Sequence, residues 1–325
     1  MNSPYDSFDM SRLMCDADAA PSILNTKPWK FEKVADNRIE LRPDWTRHLK
    51  VIDPRHRELV ISCGAALFNL RMAIRVTGHD PVVWLLPDQQ PGQARECEHC
   101  GKCCGVGNIL ASVEIITRQA HPVTVTQQRL YEAIPQRHTI REPFIRPIPT
   151  NVIAAMIEAT RKEGAHARLL NRSEAKRLLR SAARTEQMLK DDEAYLAELR
   201  KWTGSNIHDG LGVPTREFGP KAAAYPRHPP VRDLGIAWGP RERTRFEKKA
   251  QLIALETETD KPSDWLRAGQ ALQRLLLTAT YYGGQASFLT QQLEEEDRRI
   301  FPFHAARPRW RWPQSAQMVI RTGRA

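Results

Sequence analysis

Three short stretches of this chain hold side chains whose types and spacing suit chemistry. The first is APSILNTKPWKF, residues 20–31, where Ser22, Asn25, Thr26 and Lys27 crowd beside Trp29. A bare turn accounts for the proline and the asparagine. Hydroxyl, amide and ammonium groups together suit the edge of a flat heteroaromatic ring. The second is Arg137-His138-Thr139-Ile140-Arg141, two guanidiniums, an imidazole and a hydroxyl within five residues. Guanidinium forks give paired, charge-assisted hydrogen bonds to phosphate, and alternating polar side chains of an extended segment face one ligand. Taken singly, the first stretch also reads as a helix-to-strand turn and the second as a solvated face or an anion site.

The third stretch is ECEHCGKCCG, residues 96–105, in which Cys97, Cys100 and Cys103 follow a C-x2-C-x2-C pattern and Cys104 adds a fourth thiol. Thiolates at this spacing suit zinc or iron. A structural zinc site normally draws a second pair from a distance, and a ferredoxin-type cluster a later cysteine followed by proline. Here Cys104 is followed by glycine, and the other two cysteines, Cys15 and Cys63, are expected to be buried small apolar residues. His99 and His121 are the nearby imidazoles. The alternatives are a metal site at Cys97, Cys100, Cys103 and Cys104 and a loop insertion without a bound partner.

Elements must position these groups. A short helix over 9–19 precedes the first stretch. Alternation in WKFEKV and RIEL predicts a hairpin, and residues 57–77 carry Cys63, Ala66, Leu67, Leu70 and Ile74 at helical steps. PVVWLLP (81–87) reads as an apolar strand. Helices are expected near 126–134, 150–163 and, strongly charged, over 171–203. A Gly- and Pro-rich surface excursion spans 204–240. LIALET (252–257) is a strand, and Ser263 is the expected N-cap of a helix that Gly283-Gly284 stops. ASFLTQQL and QMVIRTG are the last predicted strands. The theme of helix, strands, helix and strand then occurs twice, which predicts an α+β protein in two related halves, 1–120 (with a cysteine-rich loop over 88–108) and 121–325.

Composition narrows the function classes. The chain has 325 residues, 41% hydrophobic and 27% charged, with a mean hydropathy of −0.53. That balance suits a globular protein with a large core and argues against disorder or a membrane-embedded chain. No apolar run reaches membrane-spanning length, and the opening MNSPYDSFDMSRLM lacks the basic-then-apolar order of a signal peptide, so a cytoplasmic location without membrane partners is expected. The net charge of +11 owes +7 to seven arginines in residues 298–325. No nucleic-acid module accompanies them, so RPRWRWP reads as a basic segment packing two tryptophans, and no nucleic-acid partner is expected.

Together the first two stretches resemble the nitroreductase superfamily of flavin mononucleotide (FMN) proteins. RHTIREPF is similar to the family's Arg-His-Ser-x-Lys-x-Phe flavin segment. APSILNTKPWKF resembles its Pro-Ser-x-x-Asn-x-Gln-Pro-Trp segment, with Lys27 where glutamine is usual. Both in one chain, in this order, resemble the mycobacterial Acg branch, in which two halves are fused and one chain mimics the family's dimer. Residues 53–78, 130–144, 260–294 and 317–325 look similar to that branch as well.

The resemblance implies a nitroreductase-like fold with FMN between the halves, and NAD(P)H as donor of two electrons. It implies a small nitroaromatic or quinone-like acceptor, and a monomer or weak homodimer. It places Ser22, Asn25, Thr26 and Lys27 on the ring or ribityl side, and Arg137, His138, Thr139 and Arg141 on the phosphate or pyrimidine side. Leu289, Thr290 and Gln291 fall near N5 and O4, and Arg321 falls where the family completes its phosphate site. No catalytic acid is implied. The alternatives of another class are a flavin-sequestering protein with little turnover and a metal-binding regulator that uses the cysteine cluster.

Overall fold

The computed structural model describes residues 9–88, 106–117, 122–205, 207, 210–223, 229, 231–239, 241–300 and 315–325. The cysteines at 97–104 and the Trp310/Trp312 segment lie outside the described residues.

The chain is a mixed helix-and-sheet protein built on two four-stranded antiparallel sheets. Strands β1 (Trp29–Ala35) and β2 (Arg38–Pro43) form the hairpin that the alternation predicts, joined at Asp36-Asn37. Helix α1 (Met10–Asp18) precedes them, capped by the Asp9 side chain. Helix α2 (Arg57–Val76) follows them, and β3 (Asp80–Leu85) and β4 (Ala111–Ile116) complete the first sheet in the order β1-β2-β4-β3. In the second half, α3 (Val125–Glu132) and α4 (Thr150–Arg161) lead to β5 (His166–Leu169). Two charged helices follow, α5 (Arg172–Leu189) and α6 (Glu193–Trp202). Strand β6 (Gln251–Thr257), helix α7 (Pro262–Tyr281), strand β7 (Gln285–Phe288), helix α8 (Gln291–Ile300) and strand β8 (Ser315–Gly323) close the chain. The second sheet runs β5-β6-β8-β7.

The two sheets therefore share one plan: two strands, a long helix, two more strands, with the fourth strand placed inside the third. The long helices α2 and α7, each of 20 residues, form the centre. Nearly the whole of α2 is buried, on every side, because its own sheet covers one face and α7 the other. It is the single described helix long and apolar enough to cross a membrane, and 83% of its most apolar window is buried in the fold. The helices meet at Gly64 and Gly269, each seven residues after the first residue of its helix. A Cβ on Gly64 would sit 2.4 Å from the Leu266 carbonyl oxygen, and one on Gly269 would sit 2.0 Å from that of Ile61. Only glycine lets the two backbones approach this closely.

Several local expectations change. Strand β7 stops at Phe288, and Gln291 already starts α8, so ASFLTQQL is a strand-to-helix junction rather than one strand. Helix α7 starts at Pro262 with Lys261 as N-cap, which leaves Ser263 inside the first turn. Strands β4 and β5 were not anticipated. Both alternate apolar with polar residues, but ASVEII lies just after the cysteine stretch and HARL spans only four residues. Cys63 is buried, as expected, but Cys15 is exposed on the outer face of α1. The excursion after α6 is not purely superficial, since Val213, Phe218 and Leu234 are buried against Leu24, Leu49 and Leu199.

Candidate functional site

The APSILNTKPW stretch folds as a tight turn between α1 and β1. Leu24, Asn25 and Lys27 all have positive φ, at 45°, 54° and 46°. For a leucine this is a genuinely costly conformation, and such strain persists only where neighbours enforce it. The enforcing contacts are dense. Ser22 Oγ accepts from the Lys27 amide at 2.9 Å, Thr26 Oγ1 donates to Ile23 O at 2.9 Å, and Arg47 donates to Lys27 O at 2.8 Å. Trp29 is anchored by its indole N–H on Asp18, 2.7 Å away. Ser62, on the first turns of α2, accepts from the Ile23 amide at 3.2 Å and donates to Glu58 O at 2.7 Å.

RHTIR is extended and lies along the edge of the second sheet. Thr139 bridges Ala286 of β7 in parallel, and the Ile140 amide donates to Ala286 O at 2.9 Å. After Phe288, the Leu289 amide returns to Val319 O on β8, which ends the strand and turns Thr290 into the start of α8. Three segments distant in sequence thus meet at one place.

They meet around a cleft of about 910 Å³, counted to its open mouth. Its apolar walls include Pro21, Ile23, Ile61, Leu272, Phe288 and Met318, and its hydroxyls are Ser22, Ser62, Thr139, Ser287 and Thr290. Three arginines line it, Arg141, Arg232 and Arg321, against a single carboxyl, Glu58. Phe218, Pro220, Val231, Arg232 and Leu234, all from the excursion after α6, form one wall. That excursion is a strap over the cleft, tied down by the Asn25 side chain on Gly210 O and Gly212 O at 3.0 and 2.9 Å.

The three arginines differ in their partners. Arg321 is fully buried and saturated. Its Nε and one Nη bond the Glu247 carboxylate at 2.5 and 2.9 Å, and its other bonds go to Ser287 Oγ and Glu142 O. Its plane lies between the Phe144 and Phe246 rings, 4.2 and 4.9 Å from their centroids. Arg232 pairs with Glu294 of α8. Arg141 donates to a backbone carbonyl, Glu217 O at 3.0 Å, and has no carboxylate within ion-pair distance among the described residues. Arg137, outside the cleft lining, is in the same state: its contact is Ala19 O at 3.4 Å and its Nε has no hydrogen-bond partner among the described residues. Burial, with Arg141 adding repulsion, lowers the Arg137 pKa to about 10. Burial lowers that of Arg141 as well. A neighbouring pair of desolvated, unpaired guanidiniums is what an incoming anion would relieve.

Of the residues singled out by sequence, the cleft brings together Ser22, Thr139, Arg141, Thr290 and Arg321. The others are engaged elsewhere. Asn25 holds the strap, and Thr26 is buried within the turn. Lys27 Nζ lies 3.7 Å from Asp18, and His138 is exposed. Leu289 is fully buried beside Leu170, Leu252 and Val319, and Gln291 donates to Glu186 at 2.8 Å. The sequence reasoning missed Glu58, Ser62, Ser287 and Arg232. Glu58 and Ser62 sit four apart at the start of a buried helix, a signal of a polar face that the apolar count hid. The metal candidates Cys97, Cys100, Cys103 and Cys104 lie outside the described residues. Among the described residues no three His, Cys, Asp or Glu side chains are grouped to hold a metal.

The cleft's residues fit a flavin nucleotide: apolar walls for a planar ring, hydroxyls at its rim, and unmatched guanidinium charge for a phosphate.

No family model matches the chain. It is similar to two Mycobacterium tuberculosis proteins whose names read "Putative NAD(P)H nitroreductase". Identity to Rv3131 is 30% over 303 residues, 90% of this chain and 80% of that one. Identity to acg is 26% over 277 residues, 85% of this chain and 78% of that one. A third relative from the same organism, the uncharacterized protein Rv3127, is 28% identical over 285 residues, 86% of this chain and 77% of its own length. At 30% identity over 90% of its length, the chain belongs to the nitroreductase-like family that includes Acg.

Proposed function

We propose that this chain is an FMN-dependent NAD(P)H oxidoreductase of the nitroreductase type, in which the halves 1–120 and 121–325 stand for the two subunits of the family's dimer. The observation that carries the reading is the convergence of PSILN, THR-ILE-ARG at 139–141 and the β7–α8 junction on one cleft between α2 and α7. The names of the relatives supply the nicotinamide donor.

When bound, FMN would supply hydride transfer at its N5 position, with small nitroaromatics or quinones as acceptors. The protein's part is placement. Arg141, with Arg137 behind it, would hold the phosphate. Ser22, Ser62, Thr139, Ser287 and Thr290 would meet the polar edges of the ring and its chain. Ile23, Ile61, Leu272 and Met318 would hold the ring plane and keep water from it. Asn25, Thr26 and Lys27 act one step back, by fixing the turn and the strap. Arg321 already spends its donors on Glu247, Ser287 and Glu142 O, so its role is to brace the cleft wall.

The test is the visible absorption spectrum of the purified protein before and after addition of FMN, followed by NAD(P)H consumption with a quinone or a nitroaromatic. A bound two-band flavin spectrum with acceptor-dependent NAD(P)H oxidation supports the reading. A protein that takes up no FMN removes it, and one that holds FMN without turnover replaces it with flavin sequestration.

A further inference from the structure

We infer that Glu58 is the proton donor of the cleft, protonating a quinone-like acceptor as the acceptor takes up hydride. The inference rests on the function proposed above and adds an acid to a site for which the family resemblance implies none.

The geometry begins with position. Glu58 is in the first turn of α2, 5% exposed, and is the single carboxyl among the residues lining the cleft. The other polar lining groups are serine and threonine hydroxyls and arginines. Neither type gives up a proton near neutral pH. For an acceptor bound in the cleft, Glu58 is thus the one lining side chain that can serve as a general acid.

The charge inventory around Glu58 explains why it has a proton to give. The carboxyls acting on it are Asp53 in the turn before α2 and Glu294 on α8, and Asp260 before α7 and Asp297 on α8 compete for the neighbouring arginines. The cations are Arg55, Arg57 and, from the strap, Arg232. Arg55 bonds Asp260 and Asp297, both at 2.8 Å. Arg57 bonds Asp297 at 2.7 Å and spends another donor on Gln317 O at 2.6 Å. Arg232 pairs with Glu294. Asp53 accepts the amides of Glu58 and Leu59 at 3.1 and 2.8 Å. Five carboxyls thus share three guanidiniums, and Glu58 receives the longest of the contacts, 3.3 Å from Arg57. Burial, then the Glu294 charge, holds its pKa well above the usual carboxylate range, against the pull of Arg57. The neutral acid is the form this pocket favours.

The chemistry balances without a further reagent. NAD(P)H contributes two electrons and one proton as hydride. A quinone that receives hydride becomes a hydroquinone monoanion. The Glu58 O–H bond breaks, the proton bonds to the anionic oxygen, and Glu58 is left as a carboxylate that regains a proton from solvent. The sum is quinone, NAD(P)H and one proton giving hydroquinone and NAD(P)⁺.

The test compares the full-length protein with Glu58→Gln, which keeps an oxygen for Arg57 but has no acidic proton. With FMN bound, reoxidation by a quinone is expected to slow about 100-fold in E58Q, within the range general acids supply. Reoxidation by ferricyanide, which takes electrons without protons, should be unchanged. The wild-type quinone rate should fall as pH rises through the Glu58 pKa, while the E58Q rate stays flat. A readout independent of turnover is the infrared difference spectrum of flavin-free wild type minus E58Q at neutral pH, in which a protonated-carboxyl band is expected over the background of the other buried carboxyls, Asp53 and Glu186. If E58Q folds poorly, the wild type alone still decides, through its quinone-against-ferricyanide pH profiles. Wild-type quinone rates in E58Q, or an ionised Glu58 at neutral pH, overturn the assignment. A wild type that takes up no FMN overturns the parent reading instead, and is recognised from its spectrum before any variant is compared.

Discussion

The two halves of this molecule are alike in scaffold and unlike in chemistry. Both sheets follow one strand order, and both long helices put a glycine at the same point of the crossing. Aligning the helices on those glycines sets Glu58 and Ser62 of α2 against Ser263 and Arg267 of α7. The first pair faces the cleft. On α7, Arg267 is exposed, bonds Asp264 at 3.3 Å and lays its stem near Gly164, where a Cβ would lie 3.2 Å from its Cδ. At the equivalent place α7 thus carries a cation near a glycine, where α2 carries a carboxyl and a hydroxyl that line a cleft.

The comparison is most severely tested inside the second half, where Arg321 braces the cleft wall. Arg321→Ala would strip Glu247 of its partner inside the second half and empty the space between Phe144 and Phe246. Breaking a buried pair of this kind costs about 3–5 kcal/mol, so denaturant midpoints should fall sharply and the cleft should be lost with the fold. Arg141→Ala should behave in the opposite way. Its guanidinium has no carboxylate to orphan, so stability should hold or rise slightly. FMN affinity, in contrast, should drop by roughly 10- to 100-fold, about 1.5–3 kcal/mol for lost bonds to a charged group. An Arg141→Ala protein that binds FMN as well as wild type would take the phosphate away from RHTIR.

The glycine crossing gives the next effect. Gly269→Ala places a methyl against a backbone carbonyl, which no rotamer change relieves. Overpacking of this type costs about 1–3 kcal/mol and sometimes more. Gly64→Ala should cost a similar amount if the crossing is as symmetric as its contacts indicate. Equilibrium denaturation of both variants measures this directly, and a large inequality between them would show that the two halves do not share the load.

How much of this was legible in the sequence follows from what each signal depends on. Helices α2 and α7 and the β1–β2 hairpin rest on local periodicity, and they stand where it put them. Strands β4 and β5 are set by pairing partners far along the chain, Leu41 with Ala111 and Leu255 with Ala167. No local pattern encodes that pairing. The three stretches that meet at the cleft were readable because they carry unusual residue combinations. Which of their side chains face inward was not. Asn25 and Arg321 are spent on Gly210, Gly212 and Glu247, contacts that span 185, 187 and 74 residues. Glu58 escaped notice for the converse reason: in sequence it is one of two charged residues opening an apolar helix, and its environment depends on Glu294, which the other half brings to it.

The finest distinction between the halves is the strap, which belongs to the second half by sequence and reaches the first through Asn25, Leu24 and Leu49. Its tie is the Asn25 amide, held at a left-handed φ that asparagine tolerates better than most residues. Asn25→Ala removes two neutral hydrogen bonds, each contributing about 0.5–1.5 kcal/mol. The loss falls on the strap rather than on the core, because the sheets and the α2–α7 crossing are untouched. Global denaturation should therefore shift little, while cleavage by trypsin within 204–240 should speed up by about tenfold and FMN should dissociate faster. Equal cleavage rates in both proteins would mean that the ion pairs of Arg232 with Glu294 and of Lys221 and Arg241 with Asp233 hold the strap by themselves. The strap would then be held electrostatically from within the second half, and high salt, which screens those pairs, would be needed to expose what Asn25 adds.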